Sequence, residues 1–105
     1  MDKLPGLGDM AGMLNQLREL QGELEKAQKE LAKSTVSAES GDGVVRVTVT
    51  GDQRVTELEI SPALVAGGDA KRISTLLQEA INKALNDSRQ MAKDRLGPLS
   101  SGLNL

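Results

Sequence analysis

The sequence contains no cysteine, histidine, tryptophan, tyrosine or phenylalanine. Without a thiol there is no disulfide framework, no redox pair and no thiolate nucleophile. Without histidine the chain lacks the commonest general base and the commonest transition-metal ligand. Without aromatic rings it lacks the stacking platform used by readers of RNA and single strands. No apolar run approaches the roughly 18 residues of a membrane-spanning helix. The opening Met1-Asp2-Lys3-Leu4-Pro5-Gly6 has no apolar segment behind it, so no signal peptide is expected. A cytoplasmic, membrane-free protein with no cofactor and no metal is the expectation. What remains is aliphatic. Leu, Ile and Val make up about a quarter of the chain, above the roughly 20% level below which disorder is common. With 105 residues the expectation is one domain, covering residues 1–105.

Hydrophobic spacing divides the chain into three parts. Over residues 8–33, Met10, Met13, Leu17, Leu20, Leu24, Ala27 and Leu31 are spaced alternately by three and four. This heptad stripe, widened by Leu14, predicts a long amphipathic helix. At ~1.5 Å per residue the rod is about 39 Å long, longer than a small three-stranded sheet. The stripe either packs on the chain's own sheet and second helix or forms a homodimer seam through Leu17, Leu20, Leu24 and Leu31. The rod's length and the small core favour the seam.

Over residues 34–61 the period changes to two. Val36 and Ala38, then Val45, Val47 and Val49, then Thr56, Leu58 and Ile60 alternate with polar residues. Gly41-Asp42-Gly43 and Gly51-Asp52 mark turns between them. A three-stranded antiparallel meander follows, with Val55 out of phase and suggesting a bulge. Residues 69–96 return to helical spacing after an Asp69 N-cap. Gly97-Pro98 is expected to end that helix, leaving 97–105 as a mobile tail. Asn82, between Ala80 and Ala84, is expected to hydrogen-bond within the packed helix layer.

Enzymatic chemistry finds little material. Glu57 and Glu59 read as a solvated strand face rather than a carboxylate pair. Gly41, Gly43 and Gly51 read as turn glycines, since no Gly-x-x-x-x-Gly-Lys pattern accompanies them. Neither an enzyme nor a small-molecule substrate is expected.

Charge is uneven. Thirteen basic and fifteen acidic residues give −2 overall. The sheet segment carries two basic against five acidic residues, whereas residues 62–105 carry six against four. A polyanion is therefore expected to avoid the sheet and meet the helices.

The stretch Glu39-Ser40-Gly41-Asp42-Gly43-Val44-Val45-Arg46-Val47-Thr48-Val49-Thr50-Gly51 resembles the glycine-punctuated hairpin of the YbaB/EbfC family of bacterial nucleoid-associated proteins. Val55-Thr56-Glu57-Leu58-Glu59-Ile60-Ser61-Pro62 is similar to that family's strand and corner, with Ser61 where Asp is usual. Ala80-Ile81-Asn82-Lys83-Ala84 is similar to its A-x-N-x-A, and Ser101-Gly102-Leu103-Asn104-Leu105 to its tail. The resemblance covers most of the chain. It implies an α+β fold of long helix, three-stranded antiparallel meander and long helix, in a dimeric, tweezer-like arrangement. It also implies binding of double-stranded DNA with little sequence preference, in the cytoplasm at the nucleoid.

Such binding requires Lys and Arg on phosphates. The candidates are Arg18, Lys26, Lys29 and Lys33 on the first helix. On the second they are Lys83, Arg89, Lys93 and Arg95, with Lys71 and Arg72 at its start. Basic residues interspersed with Glu and Asp also serve simply to solvate a helix. The acidic balance keeps a second reading open, a protein–protein adaptor or scaffold using the same helices.

Overall fold

The computed structural model describes residues 7–102. Helix α1 spans Leu7–Lys33. Strands β1 (Thr35–Ser40), β2 (Val45–Thr50) and β3 (Val55–Ile60) follow. A short helix α2 (Pro62–Ala66) leads to helix α3 (Ala70–Gly102). The sheet is antiparallel in the order β1-β2-β3. The expected helix–meander–helix architecture is thus the observed one.

Alternation fixes which sheet face is buried. Val45, Val47 and Val49 of β2, with Ala38 of β1, point to one face and are buried there. Helix α3 covers that face with Leu76, Ala80 and Ala84, its alanines allowing the helix to lie close to the strands. The opposite face carries Arg46, aligned with Glu39 on one neighbour and Glu59 on the other. There Ser37 and Thr48 hydroxyls hydrogen-bond across β1 and β2 at 2.9 Å. The pairing of β2 with β3 shifts between Thr48 and Val49, so Thr48 aligns with Glu57 and Val49 with Val55. This is the bulge that Val55 announced.

Two buried or half-buried hydroxyls fasten α3 along the sheet. Ser40 donates to the Leu76 carbonyl at 2.6 Å, and the fully buried Ser88 donates to the Thr50 carbonyl at 2.7 Å. Ser88, an interruption in the apolar spacing, is therefore a polar tie. Asp69 caps α3 by accepting from the Arg72 N–H at 3.0 Å.

Beyond Ser88 the helix leaves the sheet and runs beside α1. The molecule measures 78 × 20 × 16 Å. A six-residue strand spans about 20 Å, so most of this length is a helical arm. The arm meets the sheet at Gly51, whose N–H donates to the carbonyls of Leu31 (2.8 Å) and Ser34 (2.9 Å). A Cβ on Gly51 would stand 2.6 Å from the Leu31 oxygen, so only glycine fits this contact.

Two expectations are corrected. Gly97-Pro98 does not end α3, which continues to Gly102 with Pro98 inside it. Proline cannot donate to the carbonyl four residues back. Leu96 and Leu99 are half-buried on this stretch, where packing holds the helical course through the missing bond. The expected mobile tail is thus helical to Gly102, and residues 103–105 lie outside the described residues. Asn82 is exposed on the outer side of α3, away from the packed layer, because Ala80 and Ala84 occupy the inward positions.

Candidate nucleic-acid interface

Helix α1 has two opposed faces. Its apolar face holds Leu20, Leu24, Ala27 and Leu31, which are buried or half-buried. At about 100° per residue the positions opposite are Ala11, Asn15, Arg18, Gly22, Lys26, Lys29 and Lys33. All seven are exposed. They repeat at intervals of eleven residues (Ala11, Gly22 and Lys33; Asn15 and Lys26; Arg18 and Lys29), so the strip runs straight along the helix. No acidic side chain falls within roughly 40° of its centre line. All four basic residues expected on the first helix lie on this single strip.

The nearest acids are Glu19 and Glu25, about 60° from the centre line, and Glu25 and Glu30 line a shallow depression together with Gly22, Lys26, Lys29 and Lys33. Glu30 is tied down from the other helix. Arg95 donates to its Oε2 from Nη2 at 2.6 Å and from Nε at 3.1 Å. This hydrogen bond is the main reason the Glu30 carboxyl titrates below its ordinary value. The Arg95 and Lys26 charges add to it, against opposing desolvation. Arg95 is thus turned inward across the arm. Its charge neutralises an acid beside the lysines instead of standing free for a ligand.

Helix α3 has a weaker counterpart. Lys71, Thr75, Gln78, Asn82, Asn86, Arg89 and Lys93 are exposed along its outer side at the same spacing. Arg89 Nη1 donates to Asn86 Oδ1 at 2.7 Å. Arg89 and Lys93 border a depression whose other wall is the β2–β3 turn, Gly51, Asp52 and Gln53. That turn also carries Arg54, which pairs with Asp52 at 3.6 Å. Asp52 is held ionised below its ordinary range chiefly by the Thr50 hydroxyl, with Arg54 assisting. The carboxylate makes this depression less favourable to an anion than the α1 strip. Lys83 lies off the outer strip, four residues from both Glu79 and Asp87.

Of the eight cations expected from the sequence, the structure brings Arg18, Lys26, Lys29 and Lys33 onto one strip and Arg89 with Lys93 onto another, and places Lys83 and Arg95 apart from both. Arg54 escaped notice because only the fold brings its turn to α3. The positive φ of Gln53, which sets that turn, leaves little trace in residue type.

Of the expected seam, Leu31 is 5% exposed and committed to the Gly51 junction. Leu24 and Leu20 are half-buried, and Leu17 is 53% exposed. Apolar surface is also bare on β3, at Val55 and Leu58. Among the described residues there is no cluster of acids able to hold a metal ion, and no helix is long and apolar enough to cross a membrane.

Comparison with known proteins agrees with this architecture. The chain is 36% identical over 96 residues to a nucleoid-associated protein of Corynebacterium jeikeium, covering 91% of this chain and 92% of that one. It is 32% identical over 101 residues to a nucleoid-associated protein of a Thermoanaerobacter species, covering 96% and 91%. The crystal structure of an uncharacterized protein from Helicobacter pylori has the same fold, with a TM-score of 0.64 at 20% identity. That match covers 74% of this chain and 90% of the other. The sequence profile of the YbaB/EbfC DNA-binding family matches residues 7–103, and the chain belongs to that family.

Proposed function

We propose that this chain is a non-catalytic, nucleoid-associated protein of the cytoplasm that binds duplex DNA through its phosphates with little sequence preference. The observation that carries this reading is the acid-free strip of Arg18, Lys26, Lys29 and Lys33 on the solvent face of α1. Phosphate contacts from flexible Lys and Arg side chains position a protein on DNA without reading bases. No aromatic wedge is available to unstack a base step. Arg89 and Lys93 form a second and more modest contact on the other side of the arm. The overall charge of −2 does not decide the matter, since the five acids of α1 lie off the centre line of the strip that holds its four cations.

The chain acts as a homodimer in this reading. A second copy covers the apolar surface left bare, on β3 at Val55 and Leu58 and along α1 from Leu17 toward its start. Two arms per dimer double the number of phosphate contacts. The adaptor reading draws on the same bare residues but leaves the lysine strip without a purpose.

The test is titration of a labelled random-sequence duplex at 50 and 200 mM salt. Four phosphate contacts on each of the dimer's two arms predict a slope of log affinity on log salt of about −7. Lys26→Glu with Lys29→Glu should abolish most of the binding and leave the fold intact. Equal binding at both salts, or none, favours the adaptor.

A further inference from the structure

Gly22 interrupts the lysine strip on α1, and nothing among the described residues calls for it. Its backbone is helical and its side-chain position is open, with nothing within 4 Å of an added Cβ. Glycine at an exposed helix interior is less favourable than alanine. Gly51, by contrast, is held by a close approach of main chain. Gly22 therefore answers either to nothing or to something outside the folded chain.

Its neighbours say which chemistry that would be. Along the strip Gly22 stands four residues from both Arg18 and Lys26, with Lys29 and Lys33 beyond. Arg18 and Lys26 are separated by about 12 Å along the helix axis. A second copy presenting the same face would bring these cations against one another, which disfavours self-pairing here. A polyanion lying along the centre line of the strip finds two cationic side chains bracketing one open position, with Glu19 and Glu25 at its two edges.

We propose that Gly22 is a docking point at which the sugar–phosphate backbone of a duplex lies directly on the main chain of α1, between Arg18 and Lys26. The missing Cβ allows the strand to approach closely enough for both flanking side chains to reach phosphates on either side of it. This rests on the DNA-binding reading and assigns it a point of closest approach.

The experiment uses three full-length variants, Gly22→Ala, Gly22→Gln and Gly12→Gln, each read by melting temperature and by anisotropy of a labelled duplex. Gly12 is the control, because it is equally unobstructed and on the same helix but about 80° from the strip. Each substitution improves helix propensity, and Gly22→Ala is expected to raise the melting temperature by about 4–8 °C. In spite of that gain, Gly22→Ala should weaken duplex binding about threefold and Gly22→Gln about tenfold, a penalty of about 1.4 kcal/mol for the latter. Gly12→Gln should leave affinity unchanged. If the parent binds and the Gly22 variants bind equally well, the docking point is wrong and the DNA reading stands. Equal losses from Gly12→Gln and Gly22→Gln overturn the docking point too. No binding by the parent chain overturns both.

Discussion

The two halves of α1 carry one continuous heptad pattern and meet opposite fates. In the C-terminal half Ala27 and Leu31 are 0% and 5% exposed, held against the rest of the chain. In the N-terminal half Met10, Met13, Leu14 and Leu17 are all more than half exposed. The difference lies in reach. Helix α3 runs about 21 Å beyond Ser88 before its last described residue, whereas α1 extends about 36 Å back from Leu31. The outer turns of α1 therefore have no neighbour among the described residues. Periodicity identifies the face of a helix that wants cover, but not what covers it.

This contrast can be tested by truncating the same side chain in each half. Leu31→Ala should destabilise the chain by about 2–5 kcal/mol, the range for a buried leucine. Leu17→Ala should stay within about 0.5 kcal/mol, as for an exposed site, and register instead as weaker self-association in sedimentation. Urea unfolding measures the first pair of values. Equal costs in the two halves would mean that the exposed half is also packed within the chain.

The junction between arm and sheet sharpens the comparison at its boundary. Gly51→Ala forces a methyl group into the Leu31 carbonyl and should cost about 1–3 kcal/mol, as overpacking does. Hydrogen exchange should then show faster opening around Ser34 and the last turn of α1 than at the sheet valines. Uniform acceleration would show that the arm and sheet open as one unit.

The smallest effect concerns charge. Arg95→Gln removes the group that lowers the Glu30 pKa, so the carboxyl should return toward 4.5, measurable by NMR titration. The sign follows from linkage. A depressed folded-state pKa stabilises the fold at neutral pH and loses that contribution as pH falls through the folded value. The variant should therefore lose the part of acid sensitivity that lies below the ordinary glutamate range. It should also weaken duplex binding modestly, because Glu30 is left unpaired beside Lys26 and Lys33.

Much of the fold was legible because its signals are local. Alternation at Val45, Val47 and Val49 announces a strand, and Asp69 caps the helix that follows it. The course of α3 through Pro98 was not legible, since the local rule for proline is overridden by packing of the distal arm. Ser88 looked like a flaw in an apolar stripe because its acceptor, the Thr50 carbonyl, lies 38 residues away in sequence. The site divides in the same way. Four cations at helical spacing can be grouped from sequence, whereas Arg95 crossing to Glu30 and the Gly51–Gln53 turn arriving beside Arg89 depend on tertiary geometry.

The seat of Gly51 on Leu31 has a wider consequence. Peptide groups on the inner side, with Ala27 and Leu31 packed beside them, join the rod to the sheet. The outward surfaces of the rod are thereby free to be repainted with new residues while its bearing stays constant.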